Sequence, residues 1–159
     1  MPAPSPKSSK RYLIPAVLLA LLVAVLVFHY AAQPSAPSAS EEHLTVQAAW
    51  ELLQQGELAI IDIRRAEEWR QTGTAQGAVR LSFEQHPEGP EGFIRDLTAV
   101  LDGDRTRPFA IICRTGNRTG LLLPFLHANG FTAALAIPEG MAGSSHGRGW
   151  LRHGLPVDR

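Results

Sequence analysis

Apolar positions fall along this chain in three rhythms, and each rhythm predicts a different element. Residues 12–30 (YLIPAVLLALLVAVLVFHY) are apolar on every face and hold no Asp, Glu, Lys or Arg. Residues 58–63, 78–83, 108–112 and 132–137 are shorter runs of strand length, and Leu44–Val46 is a possible short first strand. Between them, apolar side chains recur at helical spacing. Val46, Ala49, Trp50 and Leu53 do so through 47–55, and the same reading gives helices over 65–71, 92–101 and 118–129. Strands alternating with helices imply a parallel sheet covered on both faces, hence an open α/β layer structure.

The first rhythm predicts a membrane anchor. About nineteen residues at 1.5 Å rise match a hydrocarbon core of about 30 Å. Lys7, Lys10 and Arg11 precede this stretch, and no further Lys or Arg occurs until Arg64. The positive-inside rule then leaves the tail 1–11 in the cytoplasm and exports everything after residue 30, to the periplasm in a bacterium. A cleavable secretory signal is the competing reading, although this apolar stretch is longer than such signals use. The Ala/Pro/Ser-rich residues 31–41 read as a tether, so the folded domain is expected over 42–159.

Composition removes several functions. Fifteen basic and fifteen acidic side chains balance, which gives no general attraction to nucleic acid. A single cysteine allows no internal disulfide and no cysteine-cluster metal site, and the six histidines show no ligand spacing. That cysteine, Cys113, stands between the apolar run 108–112 and the helix expected from residue 118. A tight loop there sits at the carboxyl edge of the sheet, where backbone amides and a helix N-terminus favour an anion such as a thiolate. Gly116 permits the turn, and Arg114 and Arg118 add positive charge suited to an anionic substrate. The plainer reading of Cys113 is a small buried hydrophobe, and spacing alone does not separate the two.

Five blocks in order resemble the rhodanese homology domain, across roughly residues 42–157. The loop Cys113-Arg114-Thr115-Gly116-Asn117-Arg118-Thr119 is similar to the active-site loop of single-domain rhodaneses. Asp62-Ile63-Arg64 with Glu68-Trp69, and Gly73 to Ala78, resemble the two blocks that flank the family's second helix. Glu139-Gly140, Gly149-Trp150 and Gly154-Leu155-Pro156-Val157 resemble its closing stretch. Cys113 to Arg118 has the six-residue length of the sulfurtransferases, one shorter than the loop of the related phosphatases. Three departures stand out: Thr74 replaces the usual histidine, Pro124 lies inside the helix after the loop, and Met141–Gly149 is a longer, glycine-rich rim expected to be flexible.

The resemblance implies a five-stranded parallel sheet flanked by helices, and a sulfurtransferase. Cys113 would take a sulfane sulfur from thiosulfate or another persulfide donor and pass it to a thiol or cyanide, with no metal or organic cofactor. Arg114, Thr115, Gly116, Asn117, Arg118 and Thr119 would hold the substrate. Arg114 is otherwise a solvated loop residue and Arg118 a structural ion pair. Asp62 and Arg64 are expected to be structural, Asp62 satisfying loop donors and Arg64 pairing with Glu67 or Glu68. Trp69 and Trp150 are expected to pack, and His146 either reaches substrate or lies in solvent. The alternative function is a carrier that relays persulfide to a membrane protein partner without turnover; phosphate ester or arsenate chemistry is disfavoured by loop length.

Overall fold

The structure, a computed structural model, describes residues 42–159. The expected tail, membrane helix and tether over 1–41 lie outside the described residues. Among the described residues no helix is long and apolar enough to cross a membrane.

The domain is built on a parallel sheet of four strands: β1 (Ala59–Asp62), β3 (Val79–Arg80), β4 (Phe109–Ile112) and β5 (Ala134–Ile137), in the order β3-β1-β4-β5. Its central register sets Ile60 beside Ala110 and Ala110 beside Leu135. Alternate residues feed two separate cores, which is why β4 and β5 are apolar throughout. On one face Ile61, Phe109, Ile111 and Ala136 pack under α3 (Gly89–Val100) and α4 (Asn117–Ala128). On the other, Ile60, Ala110, Ile112 and Ile137 pack with α1 (Val46–Gln55) and Trp150. Trp150 meets Trp50 edge to face at 5.7 Å and donates its indole N–H to the Pro156 carbonyl at 2.8 Å, so the expected packing role holds.

The helices follow the apolar pattern closely, with shifts at their ends that local chemistry explains. Thr45 caps α1 by accepting the Ala48 N–H at 3.2 Å. The chain therefore leaves the sheet edge at once, and the expected strand Leu44–Val46 is reduced to a single bridge between His43 and Ala136. The sheet has four strands plus that bridge, not five strands. Helix α3 starts three residues before the expected position because Pro90 occupies its first turn, where a missing N–H costs little. Pro124 does not shorten α4, which runs from Asn117 to Ala128. It faces solvent, and the carbonyl it leaves without a helical donor belongs to exposed Gly120 and is open to water.

Two strands were not anticipated. β2 (Thr74–Ala75) pairs antiparallel with β6 (Val157–Asp158) in a ribbon apart from the main sheet. The ribbon is tied to the end of β1 by a buried charge network. Arg64, fully enclosed, forms a bidentate pair with Asp62 and donates to Thr72 Oγ1 at 2.8 Å and the Gly73 carbonyl at 2.6 Å. Asp62 also accepts the Arg64 N–H and the Thr74 hydroxyl. This corrects one expectation: Arg64 pairs with Asp62 and not with Glu67 or Glu68, because its place two residues beyond the end of β1 turns its side chain back onto the strand's last carboxylate. Asp62 does satisfy a loop donor, the Arg64 N–H. Thr74, in the place of the family histidine, supplies a further bond to the carboxylate.

Removing one member of such a pair strands the other charge in a dry site. Asp62→Ala is expected to lower unfolding free energy by about 3–5 kcal/mol, measured by urea denaturation. A loss below about 1 kcal/mol would refute the network's structural role.

Candidate active site

Strand order places the site before any side chain is considered. From β1 the chain moves outward to β3, then returns across β1 to β4, so the order reverses between β1 and β4. In open α/β sheets the crevice at the carboxyl ends of such a strand pair is where ligands bind. Cys113 is the first residue beyond β4 and stands in that crevice, only 1% exposed.

The loop from Cys113 to Gly116 is shaped by close contact with the segment that follows β5. Met141 N–H donates to the Cys113 carbonyl at 2.9 Å, and Ala142 N–H to the Arg114 carbonyl at 2.8 Å. Gly116, at φ 83°, abuts the Pro138 carbonyl, where a Cβ would collide with backbone. Gly140, at φ 63°, lies against Arg114, and a Cβ there would be 2.6 Å from the Arg114 carbonyl oxygen. With its carbonyls held from outside, the loop turns an amide inward: Gly116 N–H donates to Cys113 Sγ at 3.2 Å. Thr119 Oγ1 donates to the Gly116 carbonyl at 2.7 Å and closes the first turn of α4, whose N-terminal partial charge points at the same sulfur. The rim 141–149 is not a loose flap at its base: besides the two bonds from residues 141 and 142, Ser144 Oγ donates to the Pro138 carbonyl at 2.8 Å and Ser144 bridges Gly147.

The two loop arginines have different surroundings. Arg118 forms a bidentate pair with Glu68 at 2.8 and 2.7 Å, and Glu84 lies 3.5 Å away. The hydrogen bonds that Arg118 donates to Glu68 raise its pKa above its ordinary value despite partial burial, helped by the Glu68 charge. Burial works against ionised Glu68, but the Arg118 and Arg65 hydrogen bonds and the Arg118 charge outweigh it and hold its pKa below the usual glutamate range. The structural ion pair is thus the role the contacts show for Arg118. Arg114 is exposed, and no carboxylate among the described residues pairs with it. Thr115 is half-buried and Asn117 exposed, flanking Gly116.

Two cavities adjoin this charged pair. A small one of about 140 Å³ takes in Arg114, Glu68, Gln71, Met141 and Leu151. A larger one of about 260 Å³ is walled by Ile63, Phe83, Leu121, Leu122 and Phe125, with Glu84 and Arg118 as its charged members. His146 is exposed and lines neither. Trp69 is half-buried, with a buried indole N–H that lacks a partner. Glu68, Glu84 and the apolar wall were absent from the expected site. One signal was available for the wall: Leu121-Leu122-Leu123 is a leucine triplet, and a helix cannot turn three successive residues to one core. Leu121 is the one left out, 82% exposed. Among the described residues no group of His, Cys, Asp and Glu is arranged to hold a metal.

Known proteins agree with this architecture. Two uncharacterized proteins, from Rickettsia prowazekii and Rickettsia conorii, are each 26% identical over 102 residues, covering 61% of this chain and 80% of theirs. Rv0390 from M. tuberculosis superposes with a TM-score of 0.55 at 26% identity, over 73% of this chain and 96% of that one. A rhodanese-like domain from Anabaena gives 0.57 at 18% identity, over 74% and 79%, a likeness of fold alone. The same holds for a protein of unknown function from Rhodopseudomonas palustris, described as a possible tyrosine phosphatase, at 0.54 and 22%, over 76% and 86%. The rhodanese-like domain family itself matches residues 45–145. Membership supports a sulfur-related role at most, since many such domains are inactive. With its model matched across most of the folded region, this chain belongs to the rhodanese-like domain family.

Proposed function

We propose that the protein is a sulfurtransferase working through a persulfide on Cys113. The observation that carries this reading is the Gly116 N–H aimed at Cys113 Sγ from inside a six-residue loop at the head of α4. A donor amide and a helix N-terminus directed at one sulfur stabilise negative charge on it, and on a second sulfur attached to it. The loop is short, which suits one sulfur atom better than a tetrahedral phosphate.

The chemistry takes two steps. The Cys113 thiolate attacks the outer sulfur of thiosulfate; a new S–S bond forms, the old one breaks, and sulfite leaves with its electron pair. An acceptor thiolate or cyanide then attacks the outer sulfur of the persulfide, and Cys113 departs as the thiolate with the electron pair of the second broken bond. No net oxidation occurs, and neither step draws on a metal or organic cofactor. Among the described residues Arg114 pairs with no carboxylate and is the loop cation that would meet a sulfonate, whereas Arg118 is engaged by Glu68 and acts as a brace that fixes the start of α4 to α2 (Ala66–Thr72). The reading further places the domain outside the cytoplasm, tethered through residues 12–30.

Wild-type protein treated with thiosulfate is expected to gain the mass of one sulfur and to make thiocyanate from cyanide, and Cys113→Ser to do neither. A one-sulfur adduct without turnover would favour the carrier alternative, and neither signal would overturn sulfur transfer. Arg114→Ala is expected to raise the KM for thiosulfate about tenfold, the worth of a charged hydrogen bond in a partly solvated site, with kcat little changed. An unchanged KM would remove Arg114 from donor binding. Glu68→Gln is expected to cost about 1–2 kcal/mol of stability at neutral pH, between exposed and buried pairs. Because the folded Glu68 pKa lies below its ordinary value of 4.5, that contribution is present above pH 4.5 and lost as pH falls through the folded value. Unfolding curves from pH 7 to 3 should show the two proteins converging only in acid.

A further inference from the structure

We infer that the outer face of α4, with the cavity of about 260 Å³ beside it, is a docking surface for a second copy of this chain, pairing two domains about a two-fold axis. The inference is independent of the sulfur-transfer reading and rests on the proposed membrane anchor only for the strength of the pairing.

The face has no partner in its own domain. Thr119, Leu122, Leu123 and Leu126 bury the inner side of α4. The outer side of such a helix is ordinarily charged or polar. Here Gly120, Leu121, Pro124 and Ala128 are exposed, and no charged side chain occurs from Thr119 to Leu126. Leu121 is the extreme case, 82% exposed. Gly120 is a second departure, since glycine weakens a helix and nothing of its own domain lies within 4 Å of where its Cβ would stand. Packing within the domain gives no reason for that glycine, whereas a second backbone crossing the helix there does.

A knob and a hole lie side by side on this face. Leu121 projects into solvent, and it is also one edge of the cavity, whose other apolar walls are Ile63, Phe83, Leu122 and Phe125. An apolar cavity of about 150 Å³ holds benzene, so one of about 260 Å³ has room for a leucine side chain. In a two-fold pair each surface meets its own copy. A projecting side chain beside a fitting hollow is then self-complementary: Leu121 of each copy enters the cavity of the other, and the two Leu121 side chains meet.

Charge agrees with a second copy as the occupant. Near a two-fold axis a charge faces its own sign, so a charged patch repels itself. The charges on this cavity, Arg118 and Glu84, are of opposite sign and 3.5 Å apart, and Glu68 holds Arg118 as well. The area is small, because twelve residues make a helix about 18 Å long, and the contact falls in the weak class. Confinement offsets that weakness. With residues 12–30 as the anchor and 31–41 as a tether that spans at most about 40 Å, two copies share one membrane at high effective concentration.

The test uses the full-length protein in liposomes, with donor and acceptor dyes on the N-termini of separate batches and pairing read by energy transfer as lipid is added. Wild type is expected to pair. Leu121→Asp and Leu121→Lys should each need at least about tenfold more protein per lipid, because each sets like charges against each other across the axis. Mixing the two variants should restore pairing to within severalfold of wild type. Both should unfold within about 4 °C of diluted wild type, since the substituted side chain is exposed. Protein that does not float with the liposomes would overturn the anchor, and the same mixing series in solution then tests the face alone. Wild type that stays monomeric, variants that pair as well as wild type, or a mixture that pairs no better than its components would overturn the second copy. Quenching of a probe at Leu121→Cys, in Cys113→Ser protein that stays monomeric, by brominated lipid would also overturn it and assign the face to the bilayer.

Discussion

The loop around Cys113 exists in its shape because two stretches of backbone touch. The carbonyls of Cys113 and Arg114 are claimed by the amides of Met141 and Ala142, and Gly116 and Gly140 let the chains come that close. Carbonyls turned outward leave amides turned inward, so the anion-binding character of the loop follows from a contact on its far side. Both partners leave neighbouring parallel strands, β4 and β5, whose register is fixed by buried alternation. A one-residue slip of either strand would exchange its two core faces and unmake the clasp together. The position of one sulfur atom is therefore set by the packing of the whole sheet.

Much of this was legible in the chain, for reasons that differ by residue. Strands such as Phe109–Ile112 are buried on both faces, so they read as unbroken apolar runs, and the helices between them showed their period. Cys113 stood out because a lone cysteine lay at a strand-to-helix junction. The ribbon of β2 and β6 was illegible because each strand has two residues and they lie more than eighty positions apart, with no pattern long enough to detect. The first strand faded to the bridge at His43 because Thr45 is a better helix cap than a strand residue, a contest decided within three positions.

Charge pairing was the least legible layer. Arg64, two residues beyond Asp62 at the end of β1, was expected to pair with Glu67 or Glu68 and instead closed on Asp62. Once Arg64 was occupied, Glu68 became available to Arg118, fifty residues along the chain, and the second loop arginine was taken out of the anion-binding count. Sequence distance hides such exchanges, since each carboxylate has several arginines to choose from and only the folded geometry ranks them.

That exchange also decides how the site divides. An Arg118 free of carboxylates would add a second unpaired positive charge to the loop. Held by Glu68, with Glu84 close by, it becomes a nearly neutral partition, its charge spent and its alkyl stem continuous with the wall of Phe83 and Leu122. The smaller cavity keeps Arg114, whereas the larger has an almost wholly apolar wall. The ion pair that braces the loop therefore also leaves its two sides chemically unlike.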